Sequence, residues 1–106
     1  MKYSLERIEE LESFLHQSYQ QPLLVKFATS WCSPCQQLQK EIDKLVAENE
    51  KLIVLEIDAE KFSTLAQSSE FSVYGVPALF LFHHGKRKKT HHGYLNLEEL
   101  KKFIKI

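Results

Sequence analysis

The sequence predicts an α/β domain with a central mixed β-sheet of four to five strands flanked by four helices. Three observations carry that prediction. Short apolar runs alternate with segments of helical periodicity, the final two runs are joined by a glycine turn, and two cysteines three positions apart stand at the head of the longest helical segment. A length of 106 residues suffices to bury one modest core without structural metals or disulfides, so a single domain over residues 1–106 is expected. Apolar residues at 43% and charged residues at 26% are those of a folding globular chain, which excludes intrinsic disorder.

The elements follow in order. Ile8, Leu11, Phe14 and Leu15 recur at helical spacing with glutamates between them, and Ser4 is placed to cap this first helix. Pro22 separates it from Leu23 to Ala28, an apolar run too short for a helix and suited to a strand buried on both faces. After Trp31-Cys32-Ser33-Pro34-Cys35 a long helix presents Cys35, Leu38, Ile42, Leu45 and Val46 on one stripe. Leu52 to Ile57 reads as the next strand, and Phe62, Leu65, Ala66 and Ser69 as a further helix. Gly75-Val76-Pro77 leads into a strand from Ala78 to Phe82, and Gly85 turns the chain into a polar strand from Lys86 to His92, an antiparallel hairpin. Asn96 and Glu99 form a capping box for a closing helix whose inner face is Leu97, Leu100 and Ile104. No linker, repeat or low-complexity segment interrupts the pattern.

Fourteen basic and fourteen acidic side chains cancel, so no overall field draws the chain to nucleic acid or an anionic membrane. The longest apolar stretch, Val76 to Phe82, is far too short to span a bilayer, and the acidic amphipathic start is unlike a secretory leader. Two cysteines cannot make the framework of a small secreted protein. The pair itself is then the chemistry, in a reducing compartment, and a cytoplasmic location is expected.

Cys32 falls at the start of the long helix, where unpaired backbone N–H groups and the positive dipole end favour thiolate over thiol. Cys35, three residues on, shares its helical face and can attack a mixed disulfide formed at Cys32. Pro34 lacks an N–H, which costs nothing in the first turn, and its fixed φ helps hold the sulfurs. The spacing alone is also that of zinc ribbons, which need a second pair that this chain does not have.

The stretch from Phe27 to Cys35 behind a buried strand, with Val76-Pro77 downstream, resembles the thioredoxin family, and the resemblance extends over essentially the whole chain, including Asp58, Gly85 and Gly93. It implies the thioredoxin fold and protein-disulfide reduction through Cys32 as attacking and Cys35 as resolving cysteine. It also implies a cis Val76–Pro77 peptide facing the cysteines, where its backbone pairs with an extended substrate. The substrate surface it implies comprises Trp31, Ser33, Pro34, Val76, Pro77, His92, Gly93 and Tyr94. No cofactor beyond the redox-active disulfide is implied. The implied partners are protein disulfides and a recycling system, either a reductase like thioredoxin reductase or a low-molecular-weight thiol, with the chain a monomer.

Several positions depart from the family pattern. Thioredoxins usually bury an aspartate at the position of Lys26 and carry a lysine near that of Glu56, so the two signs are exchanged. An unpaired buried charge is costly, which leads to the expectation that Lys26 and Glu56 lie on neighbouring strands and neutralise each other beneath the cysteines. In that arrangement Glu56 is the general base for Cys35 and Lys26 stabilises thiolate. The alternative is that both side chains reach solvent from strand ends. Ser33 replaces the commoner glycine, Ala28 stands where many relatives carry a second tryptophan, and His92 and Tyr94 are larger and more polar than is usual on the substrate surface.

His83, His84, His91 and His92 flank the hairpin turn, but strand neighbours point to opposite faces, leaving too few ligands for a closed metal site. The run Lys86 to Lys89 reads as a solvated edge that discourages strand pairing rather than as a dock for an acidic partner. Three functional classes follow: a protein-disulfide reductant; an oxidant or isomerase, if Ser33 and Lys26 stabilise the reduced form strongly; and a non-catalytic binding module, whose function would survive Cys32→Ser.

Overall fold

A computed structural model describes residues 1–105, the expected domain's last residue, Ile106, lying outside them. Its strands are β1 (Lys2–Ser4), β2 (Leu23–Ala28), β3 (Ile53–Asp58), β4 (Ala78–His83) and β5 (Lys86–His92); its helices are α1 (Glu10–Gln17), α2 (Ser33–Glu48), α3 (Ser63–Gln67) and α4 (Leu97–Phe103). All five strands form one sheet in the order β1-β3-β2-β4-β5. β1, β3 and β2 run parallel, while β4 is antiparallel to both β2 and β5, so the sheet is mixed as expected.

Alternation along the strands divides the core. Leu23, Val25 and Phe27 of β2 join Ile53, Leu55 and Ile57 of β3 and Ala78, Phe80 and Phe82 of β4 on the face covered by α1 and α3. Leu24, Val54 and Leu79 face the other way, onto Leu38, Ile42 and Leu45 of α2 and Leu100 of α4. Phe27, Phe71 and Phe80 pack edge to face with centroids 5.0–5.8 Å apart, a geometry worth about 0.5–1.5 kcal/mol per pair beyond area burial.

The hairpin turn needs two left-handed residues. His84 (φ 54°) and Gly85 (φ 76°) form the two-residue loop between His83 and Lys86, whose backbone twist matches that of the strands. Ser18, fully buried after α1, anchors this turn: its carbonyl accepts from the His84 N–H at 2.7 Å and its Oγ accepts from the Gly85 N–H at 2.9 Å. α4 begins with the expected capping box, Asn96 and Glu99 each accepting the other's backbone N–H.

Two expectations are corrected. Ser4 does not cap a helix; it ends the exposed strand β1, and α1 starts only at Glu10, whose carboxylate accepts from the Glu6 and Arg7 N–H groups. Backbone pairing to β3, including Leu5 N–H to the Glu56 carbonyl at 2.8 Å, holds β1 in place. Ser69 lies beyond α3, because the chain leaves the helix at Ser68 and buries Phe71 instead.

Candidate active site

β2 delivers the chain to the site. After Ala28 a turn carries Thr29 to Trp31, the Cys32 N–H approaches the Thr29 carbonyl at 3.4 Å, and α2 begins at Ser33. Cys32 is the N-cap residue, with extended backbone and a sulfur that accepts the Cys35 N–H at 3.2 Å. The first turn of α2 includes Pro34 and no acidic residue, so no local carboxylate opposes the field of the N–H groups on a developing thiolate. Cys32 and Cys35 form a disulfide with Cα atoms 5.2 Å apart. Both cysteines are buried, whereas Trp31 is 69% exposed beside them.

Facing the pair, the Val76–Pro77 peptide is cis, as the family resemblance implies, and the Val76 carbonyl oxygen lies 3.7 Å from Cys32 Sγ. Antiparallel pairing of Ala78 with His92 brings the end of β5 alongside, and the Gly93 N–H donates to the Pro77 carbonyl at 2.7 Å. Gly93 takes φ 111°, a conformation few other residues adopt. Tyr94 lines a shallow hollow of about 270 Å³ with Ser33, Pro34 and Gln37. The expected surface residues thus gather around Cys32.

Tyr74 packs against one of them and was not anticipated. It is 83% exposed, and its ring stacks on His92 with centroids 3.8 Å apart and planes 23° apart. The only signal in the sequence was an aromatic residue directly ahead of Gly75-Val76-Pro77. Burial, and secondarily the neighbouring His91, holds His92 below the ordinary histidine range, and its Nε2 is buried with no protein partner among the described residues.

Lys26 and Glu56 are direct register partners in the parallel β2–β3 pair, on the sheet face that α2 covers. Lys26 Nζ donates to Glu56 Oε2 at 2.8 Å and also to Gln39 Oε1 of α2. The lysine side chain is 4% exposed and that of Glu56 21%, so Lys26 does not reach solvent and the pair meets inside the fold. Gln39 Nε2 in turn donates to Asp43 Oδ1 at 3.0 Å, and Lys2 Nζ pairs with that oxygen at 2.7 Å. Lys26, Glu56 and Gln39 share a cleft of about 350 Å³ with Cys35 and Thr29.

The four hairpin histidines do not converge. His83 and His84 stack at the turn, with centroids 3.8 Å apart, while His91 and His92 lie at the other end of β5. Among the described residues no group of three or more His, Cys, Asp or Glu is placed to hold a metal, and no helix is long and apolar enough to cross a membrane. The basic run is partly engaged: Arg87 donates to the Glu70 carbonyl at 2.7 Å and Lys89 to the carbonyls of Lys102 and Lys105 at the end of α4.

Residues 5–106 match the family model described as Thioredoxin. The chain is 35% identical over 85 residues to the thioredoxin of Buchnera aphidicola, covering 79% of this chain and 76% of that protein. It is 33% identical over 86 residues to the mitochondrial thioredoxin-2 of Schizosaccharomyces pombe, covering 77% and 63%. Some curated relatives are much longer: in three of them this chain spans 34%, 63% and 47% of the length. The crystal structure of thioredoxin NaTrxh from Nicotiana alata superposes with a TM-score of 0.85 at 27% identity, over 97% of this chain and 89% of that one.

Proposed function

Because the chain belongs to the thioredoxin family and carries that family's thiol–disulfide redox pair at the head of α2, we propose that it reduces protein disulfides. The observation that carries this reading is the placement of Cys32: N-cap of α2, sulfur accepting the Cys35 N–H, and 3.7 Å from the Val76 carbonyl beside a cis proline. That carbonyl, at the edge of an exposed backbone segment, gives an extended substrate strand something to pair with as its sulfur comes up to Cys32.

In the dithiol state the Cys32 thiolate attacks one sulfur of the substrate disulfide, forming a mixed disulfide and expelling the other sulfur as thiolate. Cys35 gives up its proton and attacks Cys32 Sγ. The intramolecular disulfide forms, the second substrate sulfur leaves, and two electrons have passed to the substrate. Glu56, open to the cleft that Cys35 also lines, is the acceptor for the Cys35 proton, and Lys26 stabilises the sulfur anion. Trp31, Ser33, Pro34, Val76, Pro77, His92, Gly93 and Tyr94, joined by Tyr74, are the docking surface. No bound cofactor enters the cycle. A reductase like thioredoxin reductase or a low-molecular-weight thiol restores the dithiol, and the domain acts as a monomer in the cytoplasm, where reducing equivalents are supplied.

The test is the equilibrium reduction potential, by thiol trapping across defined thiol–disulfide buffers with Cys35→Ser as control. A value below the cytosolic glutathione poise, roughly −220 to −320 mV by different methods, supports the reductant. One observation favours a second reading: a buried ammonium on the strand leading into the motif stabilises the reduced, anionic form and raises the potential. A value clearly above that range makes the chain an oxidant or isomerase.

A further inference from the structure

Thr29 lines the same cleft as Cys35, and the redox cycle leaves its hydroxyl unused. It follows β2 and is 9% exposed, and its Oγ1 is buried with no hydrogen-bond partner among the described residues. A threonine in a turn ordinarily bonds its hydroxyl to backbone a few residues away. Here the backbone carbonyl of Thr29 receives the Cys32 N–H instead, while the hydroxyl bonds no protein group among the described residues. Lys26, in the same cleft, presents three N–H donors, and two protein acceptors meet them, Glu56 Oε2 and Gln39 Oε1. Two donor groups with spare capacity therefore share one cleft with Cys35, itself only 3% exposed.

A sulfur so buried resists ionisation, because burial penalises the charged form. In the disulfide it accepts hydrogen bonds weakly. Reduction changes that: two electrons from a recycling thiol break the S–S bond, and the Cys35 sulfur becomes a thiolate or a thiol that must lose its proton before it can resolve a mixed disulfide. We infer that the Thr29 hydroxyl, together with the Lys26 ammonium, is a donor pocket for the Cys35 sulfur in the dithiol state, making Thr29 a further residue of the redox site. The inference rests on the reading of Cys35 as the resolving cysteine. Thr29 stabilises the anion that Glu56 generates, so the two residues act on different sides of the same proton transfer.

The test uses a Cys32→Ser background, in which Cys35 is the only thiol, and follows thiolate absorbance near 240 nm against pH. Thr29→Val keeps the shape and removes the donor; Thr29→Ser keeps the donor. The expected result is a Cys35 midpoint about one pH unit higher in Thr29→Val, a tenfold weaker ionisation, with Thr29→Ser within a few tenths of the parent. Thermal unfolding confirms that each variant is folded, and Thr29→Ala is the alternative deletion should the valine not fold. An unshifted midpoint in the deletion variant, or a serine variant that behaves like it, overturns the inference. Its failure is separable from that of the reductant reading: a high potential in the parent protein removes the reductant and leaves this titration untouched, whereas an unshifted titration leaves the potential as measured.

Discussion

Removing either member of the Lys26–Glu56 pair should destabilise the fold, and by unequal amounts. At 2.8 Å the gross attraction between unit charges is about 6 kcal/mol for an effective dielectric constant of ~20. Most of that is offset by the cost of taking the charges out of water, and what a single deletion exposes is the cost of the charge left behind. Glu56→Gln strands an ammonium whose side chain is 4% exposed, while Lys26→Met strands a carboxylate with 21% of its side chain open to the cleft. We expect about 3–5 kcal/mol for the glutamate substitution, the range for breaking a buried pair, and about 2 kcal/mol for the lysine substitution, because Glu56 can rehydrate. The double variant Lys26→Met/Glu56→Gln should lie close to the milder single variant, a coupling of about 3–5 kcal/mol. Urea unfolding of the oxidised protein at neutral pH measures all four corners of the cycle. Additive losses would refute the pairing argument, and a larger loss for Lys26→Met than for Glu56→Gln would refute the account of where solvent enters.

Three further predictions concern the frame around the site. Ser18→Ala removes the buried acceptor of the Gly85 N–H and should cost about 1–3 kcal/mol, read as a lower urea midpoint at unchanged slope. Gly85→Ala places a Cβ 2.5 Å from the Tyr19 ring at φ 76°, so it should destabilise by more than about 1 kcal/mol; adding Tyr19→Ala should recover part of the loss in thermal unfolding, leaving the backbone share. His92 is held below the ordinary histidine value of 6.5 mainly by burial, so the unfolded chain binds its proton more readily than the folded one. Its contribution to stability is therefore full above pH 6.5 and declines as the pH falls through the lower folded value. His92→Gln should flatten the stability profile as the pH falls below about 7, and a variant that retains the parent slope would count against the assignment.

The sequence revealed most where periodicity and special residues coincide. Leu23 to Ala28 was legible as a strand because all of its residues but Lys26 are apolar, close to the pattern of a strand buried on both faces. The long helix announced itself by the stripe of Leu38, Ile42 and Leu45 behind an N-terminal proline, and α4 by its capping box. β1 left no trace because its three residues are exposed and are held by backbone hydrogen bonds, which no side-chain pattern records. The same blindness explains Ser4, a good cap residue taken up by a strand. At the site, the cysteines and Pro77 were readable from spacing and family resemblance, and the opposition of Lys26 to Glu56 from the exchanged signs at two family positions together with the cost of lone buried charge. Tyr74 and Gln39 were not, since each acquires its place only when a loop or helix from elsewhere in the chain closes over the sheet, and nothing in the sequence records that the Thr29 hydroxyl is buried without a partner among the described residues.

That a lysine can stand at position 26 at all follows from the geometry of parallel pairing. Residues 26 and 56 are register partners on the same sheet face, so the electrostatic requirement falls on their sum and not on either strand. Exchanging the signs preserves neutrality beneath α2 and therefore the fold. It does not preserve the environment of the cysteines, because β2 runs directly into the Cys32 turn whereas β3 lies one strand further out. The cation occupies the strand continuous with the motif, and the carboxylate occupies its neighbour. Stability and redox chemistry are thus separable: the first depends on the pair being complete, the second on how each of the two charges that share the cleft with Cys35 acts on its sulfur. A 1.4 kcal/mol preference for the thiolate form corresponds to about 30 mV in this two-electron couple, so even a modest asymmetry moves the potential by a measurable step without any change in the fold.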